Sequence, residues 1–157
     1  MKSRDLIYVF VAAVLAVIIR TFISEACAMT IIGDSHVGGL KPYLSKYMSV
    51  QYKNGTTARY WMSQPVSERC DLIVMTGTND HVAGVPTSVW LGRTDMICRK
   101  AERCWIIAPP PYAKAYRQAL IKRKNVIWTT PRPTRDGVHF YASGYKAMAQ
   151  EILQKTR

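Results

Sequence analysis

The stretch Met29-Thr30-Ile31-Ile32-Gly33-Asp34-Ser35-His36 runs from a short apolar segment through a polar turn into a mixed segment. Four apolar or β-branched residues bounded by Gly33 and Asp34 read as a buried strand, and the residues that follow carry the spacing of a helix over 36–48. The same alternation repeats down the chain. Strands are expected over 29–32, 50–53, 72–76, 105–108 and 126–128, and helices over 36–48, 58–69, 87–103, 112–124 and 143–155. Short strands alternating with helices of this length indicate an α/β fold, a parallel sheet covered on both faces. The punctuation agrees: Asn54-Gly55 and Gly77-Thr78-Asn79-Asp80 follow strands, Pro109-Pro110-Pro111 stops the fourth strand, and Ser143 is placed to cap the last helix.

Open α/β sheets bind ligands beyond the carboxyl ends of their strands, so the polar residues just after each strand are the ones to explain. Ser35 follows the first strand at a helix N-terminus, where unpaired N–H groups favour negative charge. A serine there is commonly a cap, and it lacks the Gly-x-Ser-x-Gly setting of the α/β-hydrolases. Asp136-Gly137-Val138-His139, just before the last helix, supplies what a serine nucleophile needs: an imidazole base and a carboxylate three residues away to orient it. His36 and His81 have no such partner and read as surface or supporting groups. Gly55, with no side chain, can bring a backbone N–H close to a developing oxyanion, and the Asn79 carboxamide can supply another donor. Singly these are a turn glycine and a turn asparagine. As a set of four placed after successive strands, they describe an acyl-transfer site.

These blocks resemble the SGNH hydrolases, also called the GDSL esterase and lipase family. Gly33-Asp34-Ser35 is similar to that family's serine block, Asn54-Gly55-Thr56-Thr57 to its glycine block, Gly77-Thr78-Asn79-Asp80 to its asparagine block and Asp136-Gly137-Val138-His139-Phe140 to its histidine block. The resemblance implies a flavodoxin-like three-layer α/β/α sandwich with a five-stranded parallel sheet, and hydrolysis of esters or thioesters without metal or cofactor. It further implies Ser35 as nucleophile, His139 as base and then acid, Asp136 as its orienting group, and the Ser35 N–H, Gly55 N–H and Asn79 side chain as the oxyanion hole. His36 stands where the family's name has leucine, and the chain is short, which leaves little sequence for a lid.

A chain of 157 residues, 48% hydrophobic and 20% charged, has room for one sizeable core. Residues 1–28 read separately: Lys2 and Arg4 precede an apolar run of 14 residues over 6–19, and Ala26-Cys27-Ala28 has the small-residue pattern of a cleavage site. Extended to Ile23, residues 6–23 become a membrane anchor if Arg20 reaches the interface. A signal peptide or N-terminal anchor over 1–28 and a hydrolase domain over 29–157 are therefore expected, with the domain exported: periplasmic, extracellular or membrane-anchored outside the cytoplasm. Cys70, Cys98 and Cys104 lack metal-ligand spacing, so no metal site is expected. Cys70 and Cys104 each follow Glu-Arg and precede an apolar run, which leaves open either a bridge between neighbouring strands or two free thiols.

The net charge is +12 and stays strongly positive without residues 1–28, where three basic residues meet two acidic ones. A basic exported domain with an open site suits an acylated substrate presented on a polymer or surface, and O-acetyl groups of a cell-surface or cell-wall polysaccharide are the expected target. A lysophospholipase or thioesterase would need an apolar groove, for which Met62, Val82, Val85 and Trp90 are the candidates. A binding module without catalysis would use Arg117, Lys122, Arg123, Lys124, Arg132 and Arg135 on a polyanion. No nucleic-acid motif accompanies that patch, and no specific nucleic acid is expected.

Overall fold

The computed structural model of the chain describes Val14, residues 29–65 and residues 71–156. Apart from Val14, the expected signal or anchor segment lies outside these, as does Cys70. Five parallel strands form one sheet in the order β2-β1-β3-β4-β5: β1 (Thr30–Gly33), β2 (Ser49–Tyr52), β3 (Asp71–Met75), β4 (Arg103–Ile107) and β5 (Val126–Ile127). The helices among the described residues are α1 (Ser35–Leu44), α2 (Ala58–Met62), α3 (Thr78–Val82), α4 (Thr87–Cys98), α5 (Lys114–Leu120) and α6 (Ala142–Lys155). None is long and apolar enough to cross a membrane.

Successive strand residues point to opposite faces, and the apolar residues divide accordingly. Ile31, Ile73 and Ile107 meet α1 and α6 through Val37, Leu40, Met148 and Ile152 on one face. Ile32, Leu72, Val74 and Ile106 meet Trp61, Trp90, Tyr116 and Leu120 of α2, α4 and α5 on the other. Each fully buried Ile or Leu contributes about 1.5–3 kcal/mol, so both layers are held by the sheet between them. This is the three-layer α/β/α sandwich expected from the sequence, with the flavodoxin-like strand order.

The register determines where the site forms. Gly33 at the end of β1 lies opposite Tyr52 of β2 and Met75 of β3. The residues that leave these three strands, leading to Ser35, Gly55 and Asn79, therefore emerge side by side. The strand order reverses at β1 and β3, which makes this the topological switch point of the sheet. Gly33 allows the close pairing, since a Cβ there would lie 2.1 Å from the Met75 carbonyl oxygen.

Several expectations need correction. Helix α2 stops at Met62 rather than reaching 69, because Pro65 removes a donor and fits no helix interior. The Gly77-Thr78-Asn79-Asp80 segment was read as a turn, but Thr78–Val82 is a helix, too short for its five residues to show a periodic pattern. Ser143 is not a cap: Tyr141 holds that position and the Tyr145 N–H already bonds its carbonyl at 3.1 Å. The cysteine pairing also differs. Cys104 is bonded to Cys98, six residues before it, with 5.3 Å between their Cα atoms. The register sets Cys104 against Leu72. Meanwhile the end of α4 folds back onto the start of β4 and carries Cys98 to its partner.

Candidate active site

The Asp136–His139 loop is built by its own backbone. Gly137 takes φ +83°, a conformation that L side chains rarely adopt, and this turns the chain so that the Val138 and His139 N–H groups both point at Asp136 Oδ1, at 3.0 and 2.6 Å. A bridge between Thr134 and Phe140 closes the loop. Asp136 Oδ2 faces His139 Nδ1 at 2.8 Å, and His139 Nε2 faces Ser35 Oγ at 2.9 Å. His139 and Ser35 are 104 residues apart in sequence. Packing of α6 on α1 joins them, because Tyr145 of α6 lies over Gly39 and sets the preceding loop above the N-terminus of α1.

Asp136 is held well below the usual carboxylate range, chiefly by the His139 backbone N–H, then by the His139 ring and the Val138 N–H. It stays ionised and can fix the imidazole with Nδ1–H toward itself, leaving Nε2 to accept the Ser35 proton. Ser35 is the first residue of α1, where helix N–H groups lack intrahelical acceptors. Asn79, in the first turn of α3, donates through Nδ2 to the Thr56 carbonyl at 3.1 Å and lies 3.4 Å from Asp34 Oδ2. Thr56 is next to Gly55, which has φ +70°, so Asn79 joins the loop of Gly55 to the turn of Ser35. The structure thus brings Ser35, Asp136 and His139 into one hydrogen-bonded line, with Asn79 tied to both neighbouring loops.

Two buried acids to which sequence reasoning gave no role, and His36, which it read as a surface or supporting group, support this arrangement. Asp34 caps α1 by accepting from the His36 N–H at 3.0 Å while its other oxygen faces Asn79. Its pKa is raised to about 6, mainly by burial, against the lowering effect of the His36 N–H. Asp80 accepts from the Ala58 N–H at 2.8 Å and so pins the start of α2, directly after the Gly55 loop; burial raises its pKa too. The signal for both was in the sequence, as acids beside Ser35 and Asn79, but their buried setting is a tertiary matter. His36 is fully buried beneath the site, its ring centroid 5.5 Å from that of His139 and its Nδ1 3.3 Å from the Tyr145 hydroxyl. Burial lowers its pKa to about 4, so it is neutral near pH 7. His81 is exposed and faces Tyr112 and Tyr116.

An open groove of about 440 Å³ borders Ser35 and His139, lined also by Tyr43, Tyr52, Asn54 and Arg135. The apolar groove considered for a long acyl chain does not form from its four candidates. Trp90 is fully buried and stacked on Tyr116, Met62 and Val85 pack on the same core, and Val82 is exposed. The suggested polyanion patch is partly neutralised, since Arg123 pairs with Asp95 at 2.5 Å and Arg132 with Glu151 at 2.7 Å. Among the described residues no group of three or more His, Cys, Asp or Glu is arranged to hold a metal ion.

No protein-family model and no curated protein matches the chain by sequence. Solved structures do match its fold. A member of the lipolytic protein G-D-S-L family from Veillonella parvula superposes with TM-score 0.64 at 17% identity, over 81% of this chain and 97% of that one. The C-terminal catalytic domain of peptidoglycan O-acetyltransferase A from Streptococcus pneumoniae, with a methylsulfonyl adduct, superposes with TM-score 0.56 at 15% identity, over 82% and 91%. The chain therefore has the fold of the SGNH hydrolases, as the sequence blocks implied.

Proposed function

We propose that this chain is a serine esterase of SGNH type that removes small acyl groups, O-acetyl above all, from a cell-surface or cell-wall polysaccharide. The observation that carries the reading is the line from Asp136 Oδ2 through His139 to Ser35 Oγ, with contacts of 2.8 and 2.9 Å, at the switch point of the sheet. Ser35 Oγ bonds to the ester carbonyl carbon and passes its proton to His139 Nε2. The carbonyl electrons move onto oxygen, where the N–H groups of Ser35 and Gly55 receive them together with the Asn79 Nδ2–H that faces Asp34 Oδ2 at 3.4 Å and turns to the oxyanion. When the C–O bond breaks, the alcohol leaves with the proton from His139, and water repeats the sequence in reverse to free Ser35. A hydroxyl group in place of that water turns hydrolysis into transfer, the activity named for the pneumococcal neighbour, and both outcomes pass through one acyl-enzyme.

A short acyl group suits the site because three of the four candidates for a long apolar groove, Met62, Val85 and Trp90, are spent in the core and Val82 stands exposed. Export is supported by the Cys98–Cys104 bridge, since disulfides persist in oxidising compartments, and by the signal-like segment over 1–28. The test is a series of p-nitrophenyl esters from acetate to decanoate. Highest kcat/KM on acetate is expected; a strong preference for octanoate or decanoate would favour the lysophospholipase or thioesterase reading instead.

A further inference from the structure

We infer that the face made by α1 and α6 is a track for an acidic glycan chain that leads to Ser35. This rests on the serine-esterase reading and names the class of polymer that carries the ester. Gly38 and Gly39 of α1 form the floor of the groove beside Ser35 and His139. A Cβ at Gly38 would lie 2.8 Å from the Tyr52 ring, and one at Gly39 would lie 2.3 Å from the Tyr145 ring. Two missing side chains thus let tyrosine rings close against the helix and leave a channel above it. The channel continues past the site. Pro42 and Tyr43 line both this groove and a second one, of about 190 Å³, which Lys46, Tyr47 and Lys146 also line. Helix rise alone puts the two ends of α1 about 14 Å apart, a length suited to several linked sugar rings.

The lining has one sign of charge. Arg135, Lys46 and Lys146 are its charged residues, and no carboxylate lines either groove among the described residues. Lys46 and Lys146 are exposed and face no carboxylate at ion-pair distance among the described residues, while Arg135 lies 3.8 Å from Asp136, and Arg123 and Arg132 are matched by Asp95 and Glu151. A concave, one-signed channel concentrates anionic ligands. Tyrosine walls with a polar edge suit a hydroxylated ring more than an acyl chain. A lipid surface would meet a convex apolar face, and this site is a furrow.

The experiment uses the full chain and three substrates: O-acetylated polygalacturonate, O-acetylated xylan of matched acetyl content, and p-nitrophenyl acetate as reference. At low ionic strength kcat/KM on the acidic polymer should exceed that on the neutral one by about tenfold, with the advantage shrinking as salt screens it. The double variant Lys46→Glu, Lys146→Glu should lower the ratio of acidic-polymer to p-nitrophenyl acetate turnover by about tenfold, mainly through KM. Lys155→Glu, at the end of α6 and outside both grooves, should keep the wild-type ratio. Equal turnover of the two polymers, or an equal loss from Lys155→Glu, overturns the track while leaving the esterase reading intact. Stronger inhibition by single-stranded RNA than by polygalacturonate also overturns it, in favour of a nucleic acid. Absence of p-nitrophenyl acetate turnover in the wild type strikes the esterase reading, and the track falls with it.

Discussion

Ser35 is flanked by two buried residues whose titrations oppose each other. Asp34 has its pKa raised from 3.8 to about 6, so the stability it gives is full below pH 3.8 and is lost as pH rises through about 6. His36 has its pKa lowered from 6.5 to about 4, so its contribution is present above pH 6.5 and is lost as pH falls toward about 4. Each amounts to about 3 kcal/mol, and over this window they nearly cancel. Replacing one removes the balance: between pH 7 and pH 4, denaturant unfolding should show the stability of His36→Leu rising relative to wild type by about 3 kcal/mol. A difference independent of pH would contradict a buried neutral His36. At the chemical centre, Asn79→Ala should lower kcat about 10²- to 10³-fold if its carboxamide receives the oxyanion, with wild-type kcat as the opposing result. The meeting of Ser35, Asp136 and His139 was legible in the sequence because each follows a strand or precedes a helix with a chemistry-bearing neighbour. The burial of Asp34, His36 and Asp80 was not, since burial depends on which helix covers them.

At the scale of elements, what aligns the site is a set of short anchors between loops. Asp80 of α3 holds the N-terminus of α2 through the Ala58 N–H, and Asn79 beside it holds the Thr56 carbonyl. Asp80→Ala leaves that buried N–H without its acceptor, and should cost about 1–3 kcal/mol in stability. It should also lower kcat, because the Gly55 loop directly precedes the released helix. Unchanged stability in urea, with unchanged kcat, would show that Asp80 does not pin this loop. The strands were read from sequence to within two residues because each is an apolar run bounded by turn residues. Helix ends were harder. Pro65 stopped α2 early, Tyr141 displaced Ser143 from the cap of α6, and α3 is a single turn whose pattern no window resolves.

At the scale of the whole molecule, the sheet order and the Cys98–Cys104 bridge carry the consequences. The alternation of strands and helices made the parallel sheet readable and the resemblance implied its flavodoxin-like order, β2-β1-β3-β4-β5, while the register came only from the structure. The bond to Cys98 answers for Cys104 the choice that the sequence left open, since it is neither a free thiol nor bridged to Cys70. Under non-reducing conditions Cys98 and Cys104 should resist alkylation in the denatured chain, and reduction should expose both and lower stability by about 2 kcal/mol, the value expected for so short a loop. Ready alkylation without reductant would rule the bridge out. The central claim, that Ser35 is a nucleophile activated by His139 and Asp136, is tested most directly by exposing the protein to a fluorophosphonate and mapping the adduct by mass spectrometry. A single adduct on Ser35, lost together with p-nitrophenyl acetate turnover in Ser35→Ala, is the predicted result; an unlabelled Ser35, or undiminished turnover in Ser35→Ala, would contradict it.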